Sequence, residues 1–368
     1  MILSKNTIID YFGEMEDFRI NRQKRHSLID IITIAIAATL CGCEGYEEIE
    51  DFGQVRIDWL KSFLELPNGI PSHDTFNRVF ALMNPQKFET CFRNWVMAIL
   101  ESPKAPLISI DGKTIRGAKS GGIKSPIHMV SAWMSESNVV LGQVKVSEKS
   151  NEITAIPELI KGLFIKDCIV SIDAMGCQEE IAKIIIGEGG DYVLAVKDNQ
   201  PTLHENMLDS FRFFTHDQVH ASLDIGHGRV EKRKCTVMTN LGHIEQPAKW
   251  KNLTTLIKIE SERYFKVSGK TETATRYYIA SKVETASFYE EKIRSHWGIE
   301  NKLHWTLDVV FQEDADRKRR KNAAQNFSLI NKVALNIIKN DKTKTCSMKR
   351  KRKIAAMDIS YLQTLMNF

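Results

Sequence analysis

The sequence predicts an α/β fold: a mixed sheet flanked by helices, preceded by an all-helical region and interrupted by a β-rich one. Three observations predict it. Residues 1–100 carry helical apolar spacing and no strand-like run. From residue 107 onward, short apolar runs bounded by turns alternate with helical segments, the pattern of a sheet with crossover helices. Residues 222–282 break that alternation with runs rich in branched residues, and helical spacing returns from 286.

The length of 368 residues suits two or three domains at roughly 100–200 residues each. With 43% hydrophobic and 26% charged residues, the chain has the composition of a folded globular protein and can bury a sizeable core. Residues 28–40 are an apolar, helix-favouring run broken by Asp30 and Thr33. The run is too short to span a bilayer and reads as a buried helix. Residues 47–64 have helical spacing through Ile49, Phe52, Leu60 and Phe63, and 67–71 is a turn. Ser72 or Asp74 can cap a helix carrying Phe76, Val79 and Phe80, and another helix covers 85–100. A short helix, a turn and a second helix have the outline of a DNA-reading helix-turn-helix. A scaffold or protein-contact role competes with that reading, because residues 1–100 hold 10 Lys and Arg against 14 Asp and Glu.

A Pro-containing linker at 102–106 ends the helical region. Strands are expected at 107–110, 127–134 and 139–146, with a polar turn at 136–138. These three can form an antiparallel meander. A helix at 151–163, a strand at 168–172, a helix at 178–186, a strand at 192–196 and a helix at 201–214 follow. Their alternation implies parallel strands joined by right-handed crossovers. Within the β-rich region strands are expected at 230–239, 253–259 and 275–281. A long helix at 286–310, a polar break at 312–316 and a helix at 322–339 come next, then a basic linker and a short helix near 355–365. No internal repeat is present.

Seven cysteines, an odd and scattered set, suit a reducing compartment better than a disulfide framework. Cys41 and Cys43 lack the partners of a zinc site and read as the end of an apolar helix. The start of the chain has no basic stretch followed by an apolar run, so a cytoplasmic, membrane-free location is expected. Residues 301–353 hold 15 Lys and Arg against 5 Asp and Glu. That excess points to a polyanionic partner, although Lys349–Lys353 can also be a merely solvated run.

Asp111 and Asp173 each follow a short apolar strand, and a glycine (Gly112, Gly176) comes soon after each. Charged groups at strand ends gather where a crevice opens in such sheets; the bland alternative is a turn or helix cap. A third acid on a helix beside these strand ends is sought, and Glu300 qualifies. At helical spacing it neighbours Ile293, Trp297, His304 and Leu307, on or beside the buried stripe. Its alternative is an edge ion pair with Lys302. Trp297 and Trp305 could stack on a flipped base, but at that spacing they read rather as core. Three hard oxygen donors around one crevice suit two Mg²⁺ or Mn²⁺ ions, which favour in-line displacement at phosphorus.

With those residues in place, the chain resembles DDE-type insertion-sequence transposases, and within them the H-repeat-associated group. The stretches that carry the resemblance are IDGKTIRG at 110–117, DAMGCQ at 173–178, YVLAVKDNQ at 192–200, His227-Gly228-Arg229, RSHWGIENKLHWTLDV at 294–309 and FQEDAD at 311–316. The resemblance implies an RNase H-like core with an inserted β region, and Asp111, Asp173 and Glu300 as catalytic and metal-binding residues. It implies helical accessory residues 1–101, core segments 102–221 and 286–340 around the insertion 222–285, and a basic tail 341–368. It also implies cleavage of double-stranded DNA at the ends of a mobile element, strand transfer by a 3′-hydroxyl, a homodimer on DNA and a bacterial, nucleoid-associated location. The spacings of 62 and 127 residues between the acids leave room for the insertion. One departure concerns the third acid. Related transposases place Tyr, Arg and Lys at set distances around it, and here those positions hold Ile293, His296 and Leu307. Arg294 and His296 are candidates to replace them, and Asp308 is the reserve third ligand.

Lys113, Arg116, Lys197 and Arg229 can contact phosphates from loops beside the crevice, with Arg294 and His296 as further candidates. Two readings compete with transposition: a nuclease on the same core that cuts without joining, and a DNA-binding descendant of an inactive transposase. The carboxylates are the same for the first and retained against the second.

Overall fold

The computed structural model describes residues 7–20, 24–100, 106–118, 126–147, 151–226 and 228–367. Residues 102–105 of the expected linker and His227 lie outside the described residues. The N-terminal region is helical: α1 (Ile8–Gly13), α2 (Leu28–Leu40), α3 (Tyr46–Val55), α4 (Ile57–Leu60), α5 (His73–Leu82) and α6 (Pro85–Ile99). Every residue of α2 except Ile29 is buried, so its apolar run needs no solvent face. Asn84 caps α6 by accepting from the Lys87 amide, with Pro85 just inside.

The core follows as β1 (Leu107–Ile115), β2 (Ile127–Met134), β3 (Val139–Lys145), α7 (Glu152–Lys161), β4 (Ile169–Ile172), α8 (Glu179–Gly187), β5 (Asp191–Val196) and α9 (Pro201–Phe213). The β-rich region supplies β6 (Gln218–Gly226), β7 (Arg229–Met238), β8 (Thr255–Phe265) and β9 (Thr271–Ala280). Then come α10 (Ala286–His296), a π-helical segment (Ile299–His304), α11 (Trp305–Val309), α12 (Ala323–Asn340), α13 (Met348–Met357) and α14 (Ile359–Met366). Among the described residues the nine strands form one sheet, in the order β3-β2-β1-β4-β5-β9-β8-β7-β6. β1, β4 and β5 are parallel and every other neighbour is antiparallel. This is the RNase H-like mixed sheet. The β-rich region continues it through the pairing of β9 with β5 rather than folding apart.

Strand alternation divides the core between the two sheet faces. Ile108, Ile110, Val170, Ile172 and Leu194 enter the large cluster shared with α6, α7, α8 and α12. Leu107, Ile169 and Val193 face the other way, against Ala286, Tyr289 and Ile293 of α10. α10, which leads into the segment bearing the expected third acid, therefore lies on the face that also receives Leu107 and Ile169 of β1 and β4, whereas Ile299, Leu303 and Leu307 of that segment join the large cluster.

Three expectations are corrected. β6 is an additional strand: Val219, Ala221, Leu223 and Ile225 alternate with polar residues, a period-two signal that the expected strands did not include, and here those apolar side chains are exposed. The helix expected at 286–310 is broken by the π-helical segment. Where a basic linker and one short helix near 355–365 were expected, the C-terminal segment forms two helices, the first of them covering the basic run. Lys351 and Arg352 are buried: Lys351 pairs with Asp341 at 3.0 Å, and Arg352 donates to the carbonyls of Thr39 and Val310.

Candidate active site

The parallel ladder between β1 and β4 ends with the pair Ile110 and Ile172. Asp111 and Asp173 are the next residues, so the two carboxylates leave adjacent strands side by side. β1 itself runs on past Asp111, held by β2 as far as Ile115. The strand end expected at Ile110 is thus an end of the parallel pairing only. Asp173 Oδ1 accepts from the Met175 and Gly176 amides at 3.0 and 3.3 Å, capping the turn as its bland alternative required. A Cβ on Gly176 would stand 2.3 Å from Ile172 Cγ2, which explains the glycine there. The side chains of Asn199 and Gln200 donate to the Ala174 and Cys177 carbonyls at 2.6 and 2.9 Å. The 192–200 motif thereby braces the Asp173 turn.

Above this end of the sheet, α10 and its continuation present successive residues to the strands. His296 Nδ1 lies 2.8 Å from Ser171 Oγ, and His304 Nδ1 lies 3.5 Å from Asp111 Oδ2. Burial pushes His296 down to about 4. Burial, then the nearby cations Lys332 and Lys113, pushes His304 down to about 3. Both imidazoles are neutral near pH 7. Glu300 occupies the π-helical segment between them, on the solvent side of a stripe made by Ile293, Ile299, Leu303 and Leu307. Its expected place on the buried stripe is a correction, and so are the tryptophans: Trp297 is 37% and Trp305 57% exposed. The widened turn shifts the helical phase, so spacing counted on a regular helix misplaces these side chains.

Asp111 is pushed up to about 7, first by burial and then by the charges of Asp173, Glu300 and Glu152, against a backbone hydrogen bond that favours its ionised form. Asp173 is also raised, by burial and Glu152, with Lys197 opposing. Four carboxylates therefore share one electrostatic neighbourhood.

The expected cationic residues divide into two groups. Lys197 and Arg116 are exposed. Arg229 and Arg294 line, with Arg276, Lys302, Trp297 and Glu300, a cavity of about 620 Å³. Arg294 pairs with Asp224, and the Arg276 guanidinium lies 5.1 Å from the Trp297 ring centre. Lys113 and His296 differ. The Lys113 ammonium is 9% exposed and held by Asp308, Glu313 and Asp314 at 2.7, 3.3 and 3.1 Å. His296 is neutral and committed to Ser171. Three carboxylates therefore compete with any phosphate for the Lys113 ammonium, while His296 has its Nδ1 engaged by Ser171.

Two family models match the chain: one described as DDE_Tnp_1-associated over residues 9–96, and the transposase DDE domain over residues 102–337. The chain belongs to the DDE transposase family. It is 41% identical to the H repeat-associated putative transposase YhhI of Escherichia coli (strain K12), covering 98% of this chain and 97% of that protein. It is also 41% identical to the putative transposase YncI of Escherichia coli O157:H7, over 99% of this chain and 95% of that one. A shorter relative, the inactive transposase YbfQ of Escherichia coli (strain K12), is 40% identical over 20% of this chain.

In this transposase-family chain, sequence reasoning missed Glu152. Its Oε1 lies 2.6 Å from His128 Nε2, and His128 Nδ1 lies 2.8 Å from Thr114 Oγ1. A Cβ on Gly112 would stand 2.2 Å from Glu152 Oε1 and 2.4 Å from His128 Nε2. The glycine after Asp111 thus makes room for this pair. The only available signal was an acid in the first turn of a helix, which is commonplace. The donor chemistry of Asp111, Asp173 and Glu300 fits a hard divalent cation, and the neighbouring acids add to the burial that raises the Asp111 carboxyl. Among the described residues, however, no three His, Cys, Asp or Glu side chains are disposed to hold a metal ion.

Proposed function

We propose that this protein cleaves DNA at the ends of its mobile element and joins the freed 3′-hydroxyl to target DNA, with Asp111, Asp173 and Glu300 as catalytic residues. The observation that carries this reading is the adjacency of Asp111 and Asp173 at the end of the parallel ladder. Hard oxygen donors there suit two Mg²⁺ or Mn²⁺ ions, which these three residues would hold and which would supply Lewis-acid activation when bound. Asp111 and Asp173 come from one rigid sheet, so their relative position is set by backbone pairing before substrate arrives. Glu300 comes from the helical segment that follows α10 and would complete the donor set. His304 is neutral and contacts Asp111, which steers that carboxylate without adding charge.

Lys197 beside Asp173, and Arg229, Arg294 and Lys302 along the cavity that reaches Glu300, are suited to hold phosphates of double-stranded DNA. Arg116 extends that cationic rim. Water as nucleophile gives a nick, and a 3′-hydroxyl gives joining. A homodimer on paired DNA ends accords with a reaction that must handle two ends. The test is Asp111→Asn, assayed for nicking of element-end DNA in Mg²⁺ and for DNA binding by gel shift. Nicking and joining fall together by several orders of magnitude while binding persists, because the amide keeps the shape and loses the charge. A variant that nicks as fast as the parent would overturn the reading.

A further inference from the structure

We infer that Lys113 is a positioning residue: its ammonium clasps the strand that carries Asp111 to the helical segment that carries Glu300. The inference rests on the active site proposed above and concerns how its acids are held together. Asp111 and Lys113 lie two residues apart on β1 and leave the same face of the sheet. Opposite them run His304, 3.5 Å from Asp111, and Asp308, 2.7 Å from Lys113. Those residues are four apart on one helical stretch, and Glu300 lies four before His304. Each step along the strand is thus matched by a step along the helix, and the Lys113–Asp308 ion pair fixes their register.

The rest of the cage ties the following turn to the same strand. Glu313 and Asp314 reach Lys113 at 3.3 and 3.1 Å. The Gly117 amide donates to the Asp314 carbonyl at 2.9 Å, and a Cβ on Gly117 would stand 2.5 Å from the Asp316 carbonyl oxygen. Glu313 Oε1 in turn accepts from Ser328 Oγ at 2.7 Å. Lys332 donates to Ser328 at 2.9 Å and to Gln143 on β3 at 2.6 Å. A continuous chain of hydrogen bonds and ion pairs therefore runs from α12 and β3 to a point two residues from Asp111. A phosphate seeking Lys113 would have to displace three carboxylates, so the clasp excludes that role.

Asp308→Asn tests the clasp, because it cuts the tie to the helix and leaves Lys113 with Glu313 and Asp314. Asn has the shape of Asp and the site is one-third exposed, so the fold persists. Two measurements are made: Mn²⁺ binding to the DNA-free protein by electron paramagnetic resonance, and the Mg²⁺ dependence of nicking. Loosening the third acid weakens Mn²⁺ binding and raises the half-saturating Mg²⁺ by about tenfold or more. The rate at saturating Mg²⁺ and the DNA affinity stay near the parent values, and Asp308→Glu restores the metal dependence. Unchanged metal affinity and Mg²⁺ dependence would reduce Lys113 to a packing residue. Loss of nicking at every Mg²⁺ concentration would make Asp308 itself a ligand and overturn the clasp. Asp111→Asn, run alongside, separates the cases: if it retains Mn²⁺ binding and nicking, the active-site reading has failed rather than the clasp.

Discussion

At the scale of the residue, the site depends on groups whose protonation differs from that of the unfolded chain. His296, a candidate phosphate contact by its sequence position, is instead bonded to Ser171, with burial holding it down to about 4. The unfolded histidine titrates near 6.5. Between those pH values the unfolded chain holds more protons, so acid favours unfolding there, and the stability present above pH 6.5 is lost as pH falls toward 4. This single group accounts for a loss of about 3 kcal/mol. Urea denaturation at pH 7, 5.5 and 4 checks it: His296→Gln, which cannot take up the proton, has a shallower acid loss than the parent. Parallel losses would remove His296 from the account. Asp111 and Asp173 stood out in the sequence because a charge directly after an apolar run is rare, although β1 continues past Asp111. Lys113 was legible as a cation but not as a captive one, since its three partners lie 195, 200 and 201 positions away.

At the scale of the element, α13 shows how a basic run can be structural. Its sequence, MKRKRKIAAM, has the composition of a solvated tail. Two of its cations nevertheless turn inward, because α13 packs between α2 and the end of α11. The Arg352 guanidinium satisfies the Thr39 and Val310 carbonyls and lies 4.5 Å from the Phe311 ring centre. Arg352→Met keeps much of the apolar stem and leaves those carbonyls without their donor. Chemical denaturation should register a loss of about 2–4 kcal/mol. A change within about 0.5 kcal/mol would mean the helix is only loosely docked. The π-helical segment is the other element hidden from spacing. Its apolar residues fit the spacing of a regular helix, so spacing alone carries no sign of the wider turn.

At the scale of the whole molecule, cationic surface is what a DNA partner meets. Arg317, Arg319, Arg320, Lys321, Lys349, Arg350 and Lys353 are exposed, whereas Lys351 and Arg352 are not. Neutralising exposed members that touch phosphates weakens binding to all sequences and flattens the salt slope by about 0.9 for each phosphate left without its cation. Binding isotherms between about 50 and 200 mM salt read this directly. An unchanged slope would show those residues to be solvated only. No helix among the described residues is long and apolar enough to cross a membrane.

The sequence by itself determined the α/β class, the strand–helix alternation of the core, the two aspartates that follow apolar runs and the family to which its motifs point. Those features are local: period, turn chemistry and short motifs are all read within a few residues. The tertiary structure alone decided that β6 to β9 extend the core sheet, that Glu152 joins the acids and that Glu300 stands on the exposed side of a widened turn. It alone decided which cations are exposed and which are buried in ion pairs. These outcomes depend on which distant surfaces meet, and neither hydrophobic spacing nor the balance of charges carries the identity of a partner two hundred residues away.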